Sequence, residues 1–204
     1  MSLYGFMAFC AVYLLAVATP GPGVTAVMAR SLSQGMRGAP AFVAGFLVGD
    51  LIWFAAAAAG LSALAQAAHT LFLLVRFAGA LYLLYLAYRL WTASAQLVEI
   101  RNLQPSHRPL RLFLGSLTLT LGNPKVMIFF VALLPTVVQL RTLRVLDYVS
   151  IGVAIAVILP SVLGVYVLAA SRRRLFRDAR SIRLLNRGAG TAMAGAAIAV
   201  ATSQ

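Results

Sequence analysis

Long apolar runs alternate along this chain with short joins that carry arginine, and the runs are of similar length. A helix rises 1.5 Å per residue, so about 20 mostly apolar residues cross the hydrocarbon of a bilayer. Six runs meet or approach that length, at 4–28, 39–64, 69–92, 110–137, 146–170 and 185–202. The joins are Arg30 to Gly38, Thr92 to Pro109 with its two prolines, and Ser171 to Asn186. The pattern predicts six transmembrane helices in a single domain over 1–204. The sixth run holds Gly188-Ala189-Gly190-Thr191-Ala192 and Gly195-Ala196-Ala197, small more than greasy. Small residues let helix backbones approach closely, which predicts a packed helix with little lipid exposure and a candidate homodimer surface.

Composition agrees with the pattern. Hydrophobic residues make up 62% of the chain and charged residues 10%, with a mean hydropathy of +0.92, which places it outside soluble domains and predicts an all-α integral membrane protein. A net charge of +13 can signal nucleic acid, but here the arginines punctuate apolar runs and form no patch with base-stacking aromatics. They read as topology signals and contacts with anionic headgroups. The joins after runs one, three and five hold thirteen arginines, while the other side holds only Arg76, Arg141 and Arg144. Basic short loops stay in the cytoplasm, so an even number of spans puts both termini outside. Cys10 is the only cysteine, and neither His69 nor His107 has a partner at metal-ligand spacing, so no disulfide, metal or cofactor is expected. The N-terminus lacks a basic n-region, and its apolar stretch exceeds a signal-peptide core, so the first run is expected to remain as a span.

Three places interrupt the apolar runs, and each asks for chemistry. Lys125 is the only lysine, set in Gly122-Asn123-Pro124-Lys125 within an apolar stretch from Leu110 to Leu140. An ionisable group in mid-membrane costs about 2.5–3.5 kcal/mol on insertion scales, so it faces a polar cavity or marks a pathway more often than it faces lipid. Its alternative is a stem that snorkels to a nearby surface. Thr19-Pro20-Gly21-Pro22-Gly23 breaks the first run, because the prolines remove backbone donors and the glycines weaken the helix. Asp50, after Gly45-Phe46-Leu47-Val48-Gly49, is the one carboxylate well inside any run; Glu99, Asp147 and Asp178 fall in joins or at run ends. A proline kink can be shape alone and a lone aspartate can clasp two helices. Yet Asp50 and Lys125 lie roughly 17 and 22 Å from the cytoplasmic ends of their runs, in one layer of the membrane. They are either direct partners or the two ends of a site for a zwitterion such as an α-amino acid.

The layout also repeats. Runs one to three and four to six each begin with a proline-broken helix, and three spans per half make the halves inverted. Paired interrupted helices in inverted repeats point to the midplane site of a transporter, with half-helix N-termini aimed at an anionic group. An enzyme would need a second intramembrane acid or a metal-binding His-Glu-x-x-His, and neither occurs. A cation or metal-ion transporter is the runner-up, although one aspartate beside a lysine is poor provision for a hard cation. A non-transporting assembly protein with polar clasps is the third reading.

Thr19-Pro20-Gly21-Pro22, Gly45-x-x-x-Gly49-Asp50 and Asn123-Pro124-Lys125 together resemble the LysE/RhtB family of bacterial amino-acid exporters, with matching spacing over nearly the whole chain. The resemblance implies an efflux permease of the bacterial cytoplasmic (inner) membrane, driven by the proton gradient, that exports amino acids or their derivatives. It implies a transport site at Thr19, Pro20, Gly21, Pro22, Asp50, Asn123, Pro124 and Lys125. The chain departs from many members in having Gly23 after the first motif, where Asn or Asp is usual, and Thr136 after Pro135, where Gln is usual.

The arginine asymmetry generates a topology prediction. Alkaline phosphatase fused after Gln204 is expected to be active and the same enzyme fused after Asn102 inactive. The reverse pattern overturns the orientation, and activity at both overturns the six-span count.

Overall fold

The computed structural model describes residues 1–19, 21–67, 108–137 and 144–171, with single helical positions between 74 and 92 and between 187 and 195. The third and sixth expected spans fall largely outside the described residues. The joins between 93 and 107 and between 172 and 186 do so entirely, as does Pro20. Every described element is helical.

The first expected span consists of two helices, α1 (Leu3–Ala18) and α2 (Pro22–Gln34), bent by 52° at the Thr19–Gly21 break. Ser2 caps α1 by accepting the Gly5 amide, and Pro22 opens α2 at a position where no intrahelical donor is needed. Helix α2 runs past the expected boundary at residue 28 and ends at Gly35, whose φ of 63° suits glycine and whose amide donates to the Ser31 carbonyl. Arg30, expected in a join, is therefore inside a helix and only 3% exposed. Its guanidinium donates to the Arg37 carbonyl and lies 5.6 Å from the centre of the Phe42 ring. The nearest strong helix breaker after Pro22 and Gly23 is Gly35, which is why the helix continues through Arg30.

Helix α3 (Ala39–Ala67) covers the second expected span, and its Ala39–Gly60 portion is apolar and long enough to cross a membrane. The fourth expected span is again broken, into α4 (Pro109–Leu121) and α5 (Pro124–Val137), bent by 57°. Helix α6 (Val145–Ser171) covers the fifth expected span and continues through Pro160. Both proline breaks anticipated from sequence thus divide a span into two tilted halves.

The helices pack most extensively as α3 on α4, with α1 and α2 against α6 and α3 against α5. Glycine makes the α3–α4 contact possible. A methyl group on Gly45 would run into the Ser116 hydroxyl and the Phe113 carbonyl, and one on Gly49 would sit 2.6 Å from Thr120 Cβ. Close backbone approach of this kind drives helix association where lipid is as apolar as the side chains. The hydroxyls buried in that seam are satisfied within α4: Ser116 donates to the Leu112 and Phe113 carbonyls, and Thr120 donates to the Ser116 carbonyl. Phe9, Tyr13, Phe129 and Phe130 form an aromatic core with ring centroids 5.5–6.0 Å apart. The Met1 ammonium meets the Asp147 carboxylate at 2.8 Å, so the start of α1 and the start of α6 lie at the same end of the bundle.

Gly45→Ala is expected to destabilise the detergent-solubilised protein by about 1–3 kcal/mol, because the added methyl must displace backbone as well as side chain. Gly60→Ala, which meets nothing within 4 Å, serves as the control and is expected to be neutral or slightly stabilising. Thermal unfolding of the two variants checks this, and equal midpoints contradict the packing described.

Candidate functional site

The two breaks face each other across one cavity of about 80 Å³. At 10–15 Å³ of such space per water it has room for roughly five to eight waters, about the bulk of a small to medium amino acid. Its lining includes Tyr13, Thr19, Gly21, Pro22, Asp50, Thr120, Asn123 and Lys125, closed in by Val17, Phe46, Val126, Phe129, Phe130, Leu159 and Leu163.

The break between α1 and α2 leaves the last carbonyls of α1 without intrahelical donors. Side chains supply them. Thr19, 2% exposed, turns its hydroxyl back to the Leu15 carbonyl at 2.7 Å. The Lys125 ammonium reaches the Ala16 carbonyl at 3.4 Å, and the Tyr166 hydroxyl donates to the Ala18 carbonyl at 2.6 Å. Gly21, in extended backbone at φ −157°, then leads into α2, whose start has no side-chain cap. A Cβ on Gly21 would lie 3.4 Å from Lys125 Nζ, so the N-terminus of α2 and the lysine converge on one spot. Both carry positive charge, one partial and one full, which is provision for an anion.

The break between α4 and α5 is built differently. Gly122 closes α4 by donating its amide to the Thr118 carbonyl, and the Asn123 amide follows with the Thr120 carbonyl. Asn123 then caps α5, its Oδ1 accepting the Lys125 amide at 3.0 Å while its carbonyl accepts the amides of Val126 and Met127. Pro124 has no N–H to satisfy. The first-turn amides of α5 are therefore occupied, and the charge this break brings to the cavity is the ammonium of Lys125.

Asp50 is 5% exposed and accepts the Tyr13 hydroxyl at 2.7 Å. Among the described residues it has no ion pair within 4.0 Å, and the acidic partner recorded is instead Asp147 with the N-terminus. Asp50 and Lys125 thus border one cavity without joining directly, so they are not direct ion-pair partners.

Of the residues singled out from sequence, Thr19, Gly21, Pro22, Asp50, Asn123 and Lys125 line the cavity. Pro124 shapes the break without lining it, Pro20 lies outside the described residues, and so does the side chain of Thr136. Gly23 also lines the cavity, and a Cβ there would come within 3.1 Å of Phe46 Cε1, so the Phe46 ring occupies the space that a larger side chain at 23 would need. Sequence reasoning missed Tyr13, Thr120 and Tyr166. Tyr13 carried a usable signal: it shares a helical face with Phe9 and Ala16, and a tyrosine on a buried face needs a partner for its hydroxyl. Among the described residues no three His, Cys, Asp or Glu side chains gather as metal ligands.

Comparison with known proteins bears on this arrangement. The family model of the LysE type translocator matches residues 14–204. The chain is 28% identical over 174 residues to a homoserine/homoserine lactone efflux protein of Salmonella typhi, covering 85% of this chain and 84% of that one. The corresponding efflux protein of Salmonella typhimurium strain LT2 matches to the same extent. No solved structure matches the chain.

Proposed function

The chain belongs to the LysE type translocator family, and from that premise we propose that it exports a small zwitterionic amino acid or derivative across the bacterial inner membrane, with the cavity between the two broken helices as the transport site. The observation that carries the reading is the pairing of a buried acid and a lysine on one cavity without a direct bond between them. Uncompensated charges of opposite sign in an apolar layer are costly, and a molecule with a carboxylate at one end and an ammonium at the other neutralises both.

In this reading Lys125 and the start of α2, with Thr19, Pro20, Gly21 and Pro22 shaping the turn, hold the substrate carboxylate. Asn123 and Pro124 set where α5 begins and so where Lys125 stands. Asp50 holds the substrate ammonium and, when the substrate leaves, the coupling proton, with Tyr13 fixing the orientation of its carboxylate. The two bent pairs, α1–α2 and α4–α5, are the first members of two inverted three-helix halves, and alternating access comes from rocking one half against the other. Both termini lie outside. The efflux proteins named above support export of an amino-acid derivative, and the charges at the site support an α-amino acid. A cation carrier is the weaker alternative, because a lysine beside the single carboxylate repels the ion.

Counterflow in membrane vesicles tests the assignment. The wild type is expected to exchange labelled amino acid and to ignore the corresponding decarboxylated amine. Lys125→Ala is expected to lose that discrimination and roughly tenfold or more in apparent affinity, about 1.4 kcal/mol per decade. Asp50→Asn is expected to remain in the membrane but to abolish accumulation against a gradient. Undiminished discrimination in Lys125→Ala moves the carboxylate site elsewhere, and uphill transport by Asp50→Asn reduces that residue to a helix clasp.

A further inference from the structure

We infer that the side-chain end of this site takes an α-amino acid with an apolar side chain and discriminates against a hydroxylated one; the inference rests on the carrier reading above. Once a substrate's carboxylate and ammonium are assigned to Lys125 and Asp50, its side chain must lie against the remaining wall. Most of that wall is apolar, formed by Phe46, Val126, Phe129, Phe130, Leu159 and Leu163.

The hydroxyls that border the cavity are already committed as donors inside the protein. Tyr13 gives its proton to Asp50, Thr19 to the Leu15 carbonyl and Thr120 to the Ser116 carbonyl. The Asn123 oxygen is taken by the Lys125 amide. Gly23 adds no polar atom, and the Phe46 ring fills the space beside it. A substrate hydroxyl laid against those six side chains gives up its water and finds aromatic and aliphatic carbon in its place. An apolar substrate gains from the same surface, because burying each CH₂ or CH₃ against it is favourable. The relatives named for homoserine are 28% identical to this chain, a distance over which a pocket wall can change its lining while the charged ends stay the same.

Norvaline and homoserine isolate the effect, because they share the amino-acid head and differ at the chain end only by a methyl group in place of a hydroxyl. The measurement is the dissociation constant of each, obtained from how the unfolding midpoint of the purified full-length protein in detergent rises with ligand concentration. Butylamine, which is norvaline without its carboxylate, is titrated alongside. Norvaline is expected to give a dissociation constant about ten to a hundred times lower than that of homoserine, the size of effect a single group exerts in an apolar pocket. Butylamine is expected not to stabilise. Equal affinities, or tighter binding of homoserine, overturn the apolar pocket while leaving the carboxylate assignment intact. Stabilisation by butylamine equal to that by norvaline, or by none of the three, overturns the carboxylate assignment and this inference with it.

Discussion

A helix that stops inside an apolar bundle exposes backbone carbonyls and amides that need new partners, and this protein has two such stops facing each other. Each unsatisfied group in hydrocarbon costs several kcal/mol, so a broken span persists only where other parts of the protein supply the missing partners. At the end of α1 those partners are Thr19, Lys125 and Tyr166, drawn from the break itself, from α5 and from α6. The break thereby ties itself to two parts of the chain, 109 and 148 residues away. At the end of α4 the solution is local: Gly122 and Asn123 close one helix and Asn123 opens the next.

The same requirement produces the charged lining of the cavity. A lysine recruited to a stranded carbonyl also points a positive charge into the space between the breaks, where the uncapped start of α2 adds its own. Asp50 reaches that space because Gly45 and Gly49 let α3 lie close on α4, with Trp53 donating to the Thr120 carbonyl at 3.3 Å one turn further along. Aromatic packing of Tyr13 against Phe9, Phe129 and Phe130 holds the phenol that meets the carboxylate. The site is thus assembled from structural repairs, and each polar group in it has a packing reason to be there as well as a chemical one.

How much of this could be read from the sequence depends on the kind of residue. Pro22, Pro124 and the glycines beside them act through their own backbone, so both helix breaks were visible without any tertiary information. Lys125 and Asp50 stood out because charge inside an apolar run is rare. Tyr13, Tyr166 and Thr120 were hidden because a tyrosine or threonine in an apolar helix is ordinary until its hydroxyl partner is known, and those partners lie on the same helix or on distant ones. Arg30 was misplaced for a related reason: arginine marks a membrane boundary on average, but here Gly38, with φ 68°, and Phe42 make a buried seat for it.

The most direct test of the cavity as the transport site is chemical protection at Gly21, beside the lysine. In protein with Cys10 replaced by serine, Gly21→Cys puts a thiol next to Lys125 Nζ, and its rate of alkylation by a small thiol reagent reports who else occupies that space. A transported amino acid at saturating concentration is expected to slow alkylation at least tenfold, and its decarboxylated amine to leave the rate unchanged. Alkylation at the same rate with and without the amino acid would mean that the substrate binds elsewhere.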